Sequence, residues 1–542
     1  MIRAIAKKPM PQTLPDFLAA LAAQPARTGE NAIALIDRDR AVGYAALDAE
    51  ARRVARGLRD IGIGPGMRVA IWLPNVPAWL AVLFACARLG AIAVSINTRF
   101  KSHEVQDIVG RSGCCALVYW PGFRGIDFTS ILAECHEGAM RDLRTLIAYG
   151  EDDAISAGDE VPGRTRIPYS VLRDAAPLQE NHARADSGCV IFTTSGTTKA
   201  PKFVLHDQKT VIRHAIDVAR GFGYAAADAR ILLSAPLCGV FGFCNAMAAL
   251  GAMRPLVMYP GFDAKQSAEG IRRHRVTHTN CTDDMIAQML AAVAEEQPFP
   301  SAHFFGYAAF SPAQADLPAR ADARGLRLVG LYGSSELQAL LARQDDNAPL
   351  AERTPAGGRP VSADTRIRAR DPESNAVLAH GAPGELEFLA PSVMAGYFND
   401  EDATAAAFTG DGWFRSGDLG YTTQNGGFVY LARLGDAIRL SGFLVSPAEI
   451  EEVLQEHAGI VAAQVVGATT REGLKPVAFV TLERGTALDE AALIAHCREK
   501  IAGFKVPARI VALDAFPVTP SANATKIQKS KLRKMAQALF PA

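Results

Sequence analysis

Residues 191–206, IFTTSGTTKAPKFVLH, hold the densest set of groups able to bind an anion. Between Thr193 and Thr198 five hydroxyls surround Gly196, and Lys199 and Lys202 follow. Backbone N–H groups and hydroxyls in such a loop can be offered to phosphate oxygens, with the lysines adding positive charge. A Ser/Thr/Gly cluster is also the composition of an ordinary solvated turn. Apolar residues precede this one and a Pro-Lys pair closes it, so composition alone leaves both readings open.

The segment resembles the phosphate-binding signature T-S-G-T-T-G-x-P-K of the acyl-adenylate-forming (AMP-binding) superfamily, closest to its AMP-forming acyl-CoA synthetases. Thr194 to Lys202 match it, with Lys199 in place of the second glycine. The resemblance recurs in order along most of the chain. Tyr332-Gly333-Ser334-Ser335-Glu336 is similar to Y-G-x-T-E, Gly412-Trp413-Phe414-Arg415-Ser416-Gly417-Asp418 to G-W-F-x-T-G-D, and Pro517-Val518-Thr519 with Thr525-Lys526-Ile527-Gln528-Lys529 to P-x-T…G-K-I-x-K. Gly384-Glu385-Leu386 through Gly396-Tyr397 matches a further block and reads as structural.

The resemblance implies ATP-dependent activation of a carboxylic acid to acyl-AMP with release of pyrophosphate, then transfer to CoA. By position, Thr194, Ser195, Gly196, Thr197, Thr198 and Lys202 would face the phosphates. Gly306-Tyr307-Ala308, Tyr332, Gly333 and Ser335 would lie by the adenine and α-phosphate, and Asp418 and Arg433 would take the ribose. Glu336 would help to hold Mg²⁺, which suits a hard cation that prefers carboxylate and phosphate oxygens. Lys526 would be the adenylation lysine, Gly435 the hinge, and Gly442 a residue of the pantetheine tunnel. His206, Cys238, Gly239 and Phe241 would border the acyl pocket, Gly239 standing where relatives carry His or an aromatic. Asp283 and Asp284 could contact a polar or cationic substrate, but the favoured reading is that they cap a helix that begins near Met285 and face its positive N-terminal end. Loading of a carrier-protein phosphopantetheine remains an alternative, as does luciferase-like oxygenation. So does a catalytically weakened nucleotide-binding protein, because Lys199, Gly239, Gly435 and Thr525 depart from the family pattern.

These residues need elements that carry them. Leu47, Ala51, Val54, Leu58 and Ile61 share one helical face, and glycines at 62, 64 and 66 end that helix. The apolar stretch Ala78–Ile96 is broken by Arg88 and Gly90 and reads as helix, turn and buried strand, too interrupted for a membrane span. Strand–helix alternation implies parallel sheets with right-handed crossovers. Beyond Gly435 the pattern changes. A capping box at Ser446–Glu449 opens a helix, strands follow at 462–466 and 475–482, and a helix carrying Leu493, Cys497 and Ile501 is expected to stop at Gly503. The expected fold is α/β: a large N-terminal platform of several subdomains, 1–434, and a small mobile α+β lid, 435–542. The 542 residues carry 57 basic and 57 acidic side chains, which gives no global reason to favour nucleic acid or an acidic membrane. Nine scattered cysteines without a CxxC pair, and no secretory leader, point to a reduced cytoplasmic protein. The expected partners are a small carboxylic acid and CoA, with no nucleic acid; a homodimer is left open.

Overall fold

The computed structural model describes residues 10–24, 32–150, 161, 163–194, 201–310, 314–440, 443–470, 473–501, 503–520 and 525–540; at 439, 443–444, 519–520 and 525–526 it describes the backbone alone. Two large sheets enclose a layer of helices. The first has eight strands. Gly188–Thr193, Ile92–Ser95, Arg68–Trp72, Cys114–Tyr119, Thr145–Ala148 and Thr165–Pro168 run parallel. Phe203–Asp207 and Gly396–Tyr397 extend the other edge antiparallel.

The second sheet has thirteen strands and changes character midway. Ile33–Asp37, Leu256–Met258, Ile231–Leu233, His278–Thr282, Phe304–Ala308 and Leu328–Tyr332 are parallel. From Tyr332 onward the neighbours Ala342–Arg343, Gly357–Pro360, Phe428–Arg433, Phe414–Thr422, Gly384–Leu389 and Arg366–Arg370 are antiparallel.

Alternation along the strands sets the layering. Val69 and Ile71 join the central core with Ile231 and Leu233 of the other sheet, whereas Ala70 and Trp72 face outward onto a separate cluster. A helix between two sheets has no solvent face. Pro77–Leu89 is accordingly buried at every position, Arg88 included, and ends at the left-handed Gly90, φ 70°. Val240–Gly251 is buried everywhere except Phe241. The expected helix, turn and strand across 78–96 are thus present, with the helix opening at Pro77. Among the described residues no helix is long and apolar enough to cross a membrane.

The C-terminal unit is built on a three-stranded sheet, Ile460–Thr470, Gly473–Leu482 and Arg509–Ala512. Helices Pro447–Gln455 and Glu490–Lys500 cover one face and Lys529–Ala538 the other. Ser446 caps the first helix by accepting from Ala448 N at 3.3 Å, but the expected capping box is not reciprocated: Glu449 pairs with Lys505 instead. The second helix ends two residues before the expected stop, where Ile501 turns extended (φ −128°, ψ 158°), and Gly503 begins a separate short turn.

Helix Tyr44–Asp60 tests how tightly these layers are packed. Alanine normally favours a helix over glycine by about 1 kcal/mol. At Gly57, however, a Cβ would sit 2.6 Å from the Leu172 Cα, a backbone atom. Gly57→Ala is expected to reverse the propensity effect and destabilise by ~1–3 kcal/mol, read as a lowered denaturation midpoint; a raised midpoint would contradict the packing described.

Candidate functional site

The motif residues converge because their strands end on the same side. Thr194 follows the parallel strand Gly188–Thr193, Cys238 and Gly239 follow Ile231–Leu233, Ala308 closes Phe304–Ala308, and Tyr332 closes Leu328–Tyr332. Carboxyl ends of parallel strands are where open α/β sheets bind ligands.

One cluster sits where the second sheet turns antiparallel. Asp418 and Arg433 are directly opposed across two strands. The Asp418 side chain is 3% exposed, and its Oδ1 lies 3.0 Å from an Arg433 nitrogen whose side chain is 57% exposed. The Tyr332 hydroxyl donates to Asp418 Oδ2 at 2.6 Å. Burial pushes the Asp418 carboxyl up, while Arg433 and the Tyr332 hydroxyl pull it back. The Tyr332 ring is held against Phe388, Phe428 and Tyr430. Glu385, assigned to a structural block, receives Gly417 N at 3.3 Å and pairs with Arg415 at 3.1 Å, and so shapes the turn entering Asp418.

A second group surrounds Thr194 and Lys202. Thr194 N donates to Lys202 O at 3.0 Å, and Lys202 N to Thr194 Oγ1 at 3.2 Å, so these two residues are joined. Ser195, Gly196, Thr197, Thr198 and Lys199 lie outside the described residues. The Lys202 ammonium stands 4.4 Å from the centre of the Tyr397 ring, and the Tyr397 hydroxyl donates to Glu336 Oε1 at 3.0 Å. Tyr397 thereby links Lys202 and the Glu336 carboxylate. Sequence reading had left it in a structural block, and only the pairing of Tyr397 with Val204 brings it here.

Between these groups the chain makes an unusual turn. Gln338, Ala339 and Leu340 are all left-handed, with φ of 60°, 46° and 38°. Each such residue costs roughly 1–2 kcal/mol. Buried donors hold their carbonyls: Cys244 Sγ meets Gln338 O at 2.7 Å and His214 Nε2 meets Ala339 O at 3.0 Å. His206, fully buried, places Nε2 2.8 Å from Ser335 O. A Cβ on Gly333 would lie 2.5 Å from the backbone carbon of Ala339, so this glycine permits the fold-back.

Gly239 precedes helix Val240–Gly251, and Cys238 O accepts from Ser95 Oγ at 2.7 Å. Burial pushes the Cys238 thiol up to about 12, which removes it as a nucleophile near neutral pH. Tyr307 is buried, with its hydroxyl donating to Thr354 O at 2.8 Å. Asp283 and Asp284 stand in the first turn of helix Asp283–Ala291, facing its positive end as expected, but neither is the cap. Thr282 is the cap and accepts from Met285 N, while the buried Asp283 accepts from Asp284 N at 2.9 Å and Phe310 N at 2.7 Å.

Gly435 has nothing within 4 Å of a would-be Cβ. Its carbonyl accepts from Arg533 at 2.7 Å, and Arg533 also pairs with Asp436. Gly442 lies outside the described residues. Lys526 is in the strand Thr525–Ile527, paired with Thr519, and its side chain lies outside what is described.

A family model described as AMP-binding enzyme matches residues 21–398, and one described as AMP-binding enzyme C-terminal domain matches 449–523. A feruloyl-CoA synthase of an Amycolatopsis species is 31% identical, covering 94% of this chain and 97% of its own. A sulfoacetate–CoA ligase of Cupriavidus necator is 30% identical over 95% and 97%. The structure of the o-succinylbenzoate CoA synthetase MenE from Bacillus subtilis, bound to its acyl-adenylate intermediate, superposes with TM-score 0.77 at 25% identity, covering 96% and 98%.

The buried histidines give a pH signature. Desolvation takes His206 and His214 from 6.5 to about 4. Below pH 6.5 the unfolded chain therefore binds protons that the folded chain refuses, and stability falls as pH drops toward 4. By pH 5 each histidine accounts for roughly 2 kcal/mol. His214→Gln, which keeps a donor and cannot titrate, is expected to lose less stability than wild type between pH 7 and pH 5 in denaturant titrations. An equal loss in both proteins would contradict this assignment.

Proposed function

The chain belongs to the AMP-binding enzyme family and is an AMP-forming acid–thiol ligase, an acyl-CoA synthetase; from that premise we propose how its residues divide the work. In the first step a substrate carboxylate oxygen attacks the α-phosphorus of ATP, the bond to the bridging oxygen breaks, and pyrophosphate leaves. In the second, CoA sulfur attacks the acyl carbon, the thiol proton is lost and AMP leaves. A carboxylate resists nucleophiles because oxide is a poor leaving group, and adenylation replaces oxide with AMP. Such chemistry depends on positioning and charge neutralisation.

The observation that carries the nucleotide assignment is Asp418, a buried carboxylate held between Tyr332 and an exposed Arg433 at the carboxyl edge of the sheet. A carboxylate so fixed suits two ribose hydroxyls, and Arg433 counters the upward push of burial on it. Thr194 to Thr198 and Lys202 take the phosphates, and Gly306 to Ala308, Gly333 and Ser335 border the adenine and α-phosphate. Glu336 fits a role in holding Mg²⁺: it is a hard oxygen donor, half-buried, with one oxygen oriented by Tyr397. When bound, the ion neutralises phosphate charge. His206 supports the pocket from below through Ser335, while Cys238, Gly239 and Phe241 border the acyl group.

Lys526 bridges the substrate carboxylate and the α-phosphate during adenylation. The platform is 1–434 and the lid 435–542, turning at Gly435, whose missing Cβ permits a large torsion change. Gly442 then lines the path of the pantetheine arm. All nine cysteines are unpaired, in keeping with a reducing cytoplasm.

Carboxylate-dependent ATP–pyrophosphate exchange over a panel of acids tests the reading, and absence of exchange with every acid would overturn it. Asp418→Ala is expected to raise the KM for ATP at least about tenfold, the worth of a charged hydrogen bond. Lys526→Ala is expected to lower exchange ~100-fold or more while leaving AMP binding intact. Gly442→Leu is expected to keep exchange and lose thioester formation, whereas equal loss of both would remove it from the CoA path.

A further inference from the structure

Three buried polar side chains lie between the elements that border the acyl group. Asn245 is one helical turn beyond Phe241 on the same face of helix Val240–Gly251, and Phe241 is the one position of that helix that is not buried. Asn280 is the register partner of Gly306 across adjacent parallel strands. Tyr224 completes the group, and all three are at most 1% exposed.

Their hydrogen bonds can be counted in full. Asn245 Nδ2 donates to Leu232 O at 3.2 Å, which fixes its Oδ1 as the acceptor toward the cluster. That oxygen receives the Tyr224 hydroxyl and, at 3.0 Å, Asn280 Nδ2. Asn280 Nδ2 also donates to the Tyr224 oxygen at 2.7 Å. Both protons of the Asn280 amide are therefore used, and the amide cannot be turned over without setting two acceptors face to face. Asn280 Oδ1 is left with no hydrogen-bond partner among the described residues. A Cβ on residue 306 would come within 2.3 Å of it, so Gly306 is what admits this oxygen beside the strand.

An unpaired buried amide oxygen has lost its hydration without a hydrogen bond to replace it. We propose that Asn280 Oδ1 receives a hydrogen bond from the acyl substrate, and that the enzyme takes carboxylic acids bearing a hydroxyl at the end remote from the carboxylate. This rests on the adenylation reading and narrows its substrate class. A neutral donor is specified because the cluster is built of two amides and a phenol, with no carboxylate to balance an ammonium. Phe241 supplies the apolar wall along which the middle of the acid lies. A site built to bind a hydroxyl discriminates strongly against the analogue that lacks it, because the loss leaves its own buried group unpaired.

The experiment compares matched acids, with and without a terminal hydroxyl, in ATP–pyrophosphate exchange by the full-length protein. The probes are ω-hydroxyalkanoates against alkanoates of six to twelve carbons, and para-hydroxylated against unsubstituted aryl acids. In at least one pair the hydroxy acid is expected to be favoured tenfold or more in kcat/KM. In Asn280→Leu that ratio is expected to fall to within threefold. Exchange with the panel but no pair differing by more than threefold would overturn the proposal and leave the adenylation reading standing. So would a preference that survives in Asn280→Leu. No exchange with any acid would overturn both. The wild-type comparison decides the matter even if the variant does not fold.

Discussion

A short left-handed turn at Gln338–Leu340 governs the arrangement of the site. It lies where the larger sheet passes from parallel to antiparallel strands, immediately after Ser335 and Glu336. Its conformation is unfavourable for side chains that carry a Cβ, so it persists only because the surroundings fix it. Gly333 leaves room for Ala339, and His214 and Cys244 hold successive carbonyls from within the helical layer. His206 holds Ser335 from the other sheet. Helices, two sheets and the nucleotide motif are thus tied at one backbone segment, and a change in any of them reaches Ser335 and Glu336.

Charge is handled locally. The chain has zero formal net charge, and in the site its cations are set beside specific buried or half-buried groups. Arg433 projects from the buried Asp418, and Lys202 rests over Tyr397 while that residue orients Glu336. Elsewhere Arg368 and Arg370 share the fully buried Glu387, which ties two antiparallel strands and has no evident part in the chemistry. The acidic and basic groups differ in exposure more than in number, and exposure decides which charges are available to a ligand.

Much of the platform could be read from the residues because its signals are local. The apolar run at 78–96 and the glycines after residue 61 mark their elements directly, and the motif blocks fall at strand ends as the strand–helix alternation implies. What escaped depends on long-range pairing. Tyr397 reaches Glu336 because a two-residue strand joins an edge strand nearly two hundred positions earlier. Asn245 and Asn280 sit within largely apolar or neutral stretches, and nothing in their spacing shows that they meet. The left-handed turn carries no Gly or Asn to announce it. Two cap assignments failed for a related reason: Glu449 and Asp283 found tertiary partners that local preference does not foresee.

The clasp at residue 435 has a mechanical meaning. Arg533, on the last helix, grips both the Gly435 carbonyl and the Asp436 carboxylate, so the peptide plane joining these residues belongs to the C-terminal unit. On the other side, Leu434 N is bonded to Gly417 O at 2.8 Å, which anchors the preceding residue to the platform. The backbone dihedral angles of Leu434 and Gly435 lie between those grips. Turning them breaks the hydrogen bonds from Asp436 N and Ala437 N to Arg433 O, at about 1 kcal/mol each. The short span between platform and C-terminal unit is thus held in its present shape by bonds to the backbone of the same arginine that faces Asp418.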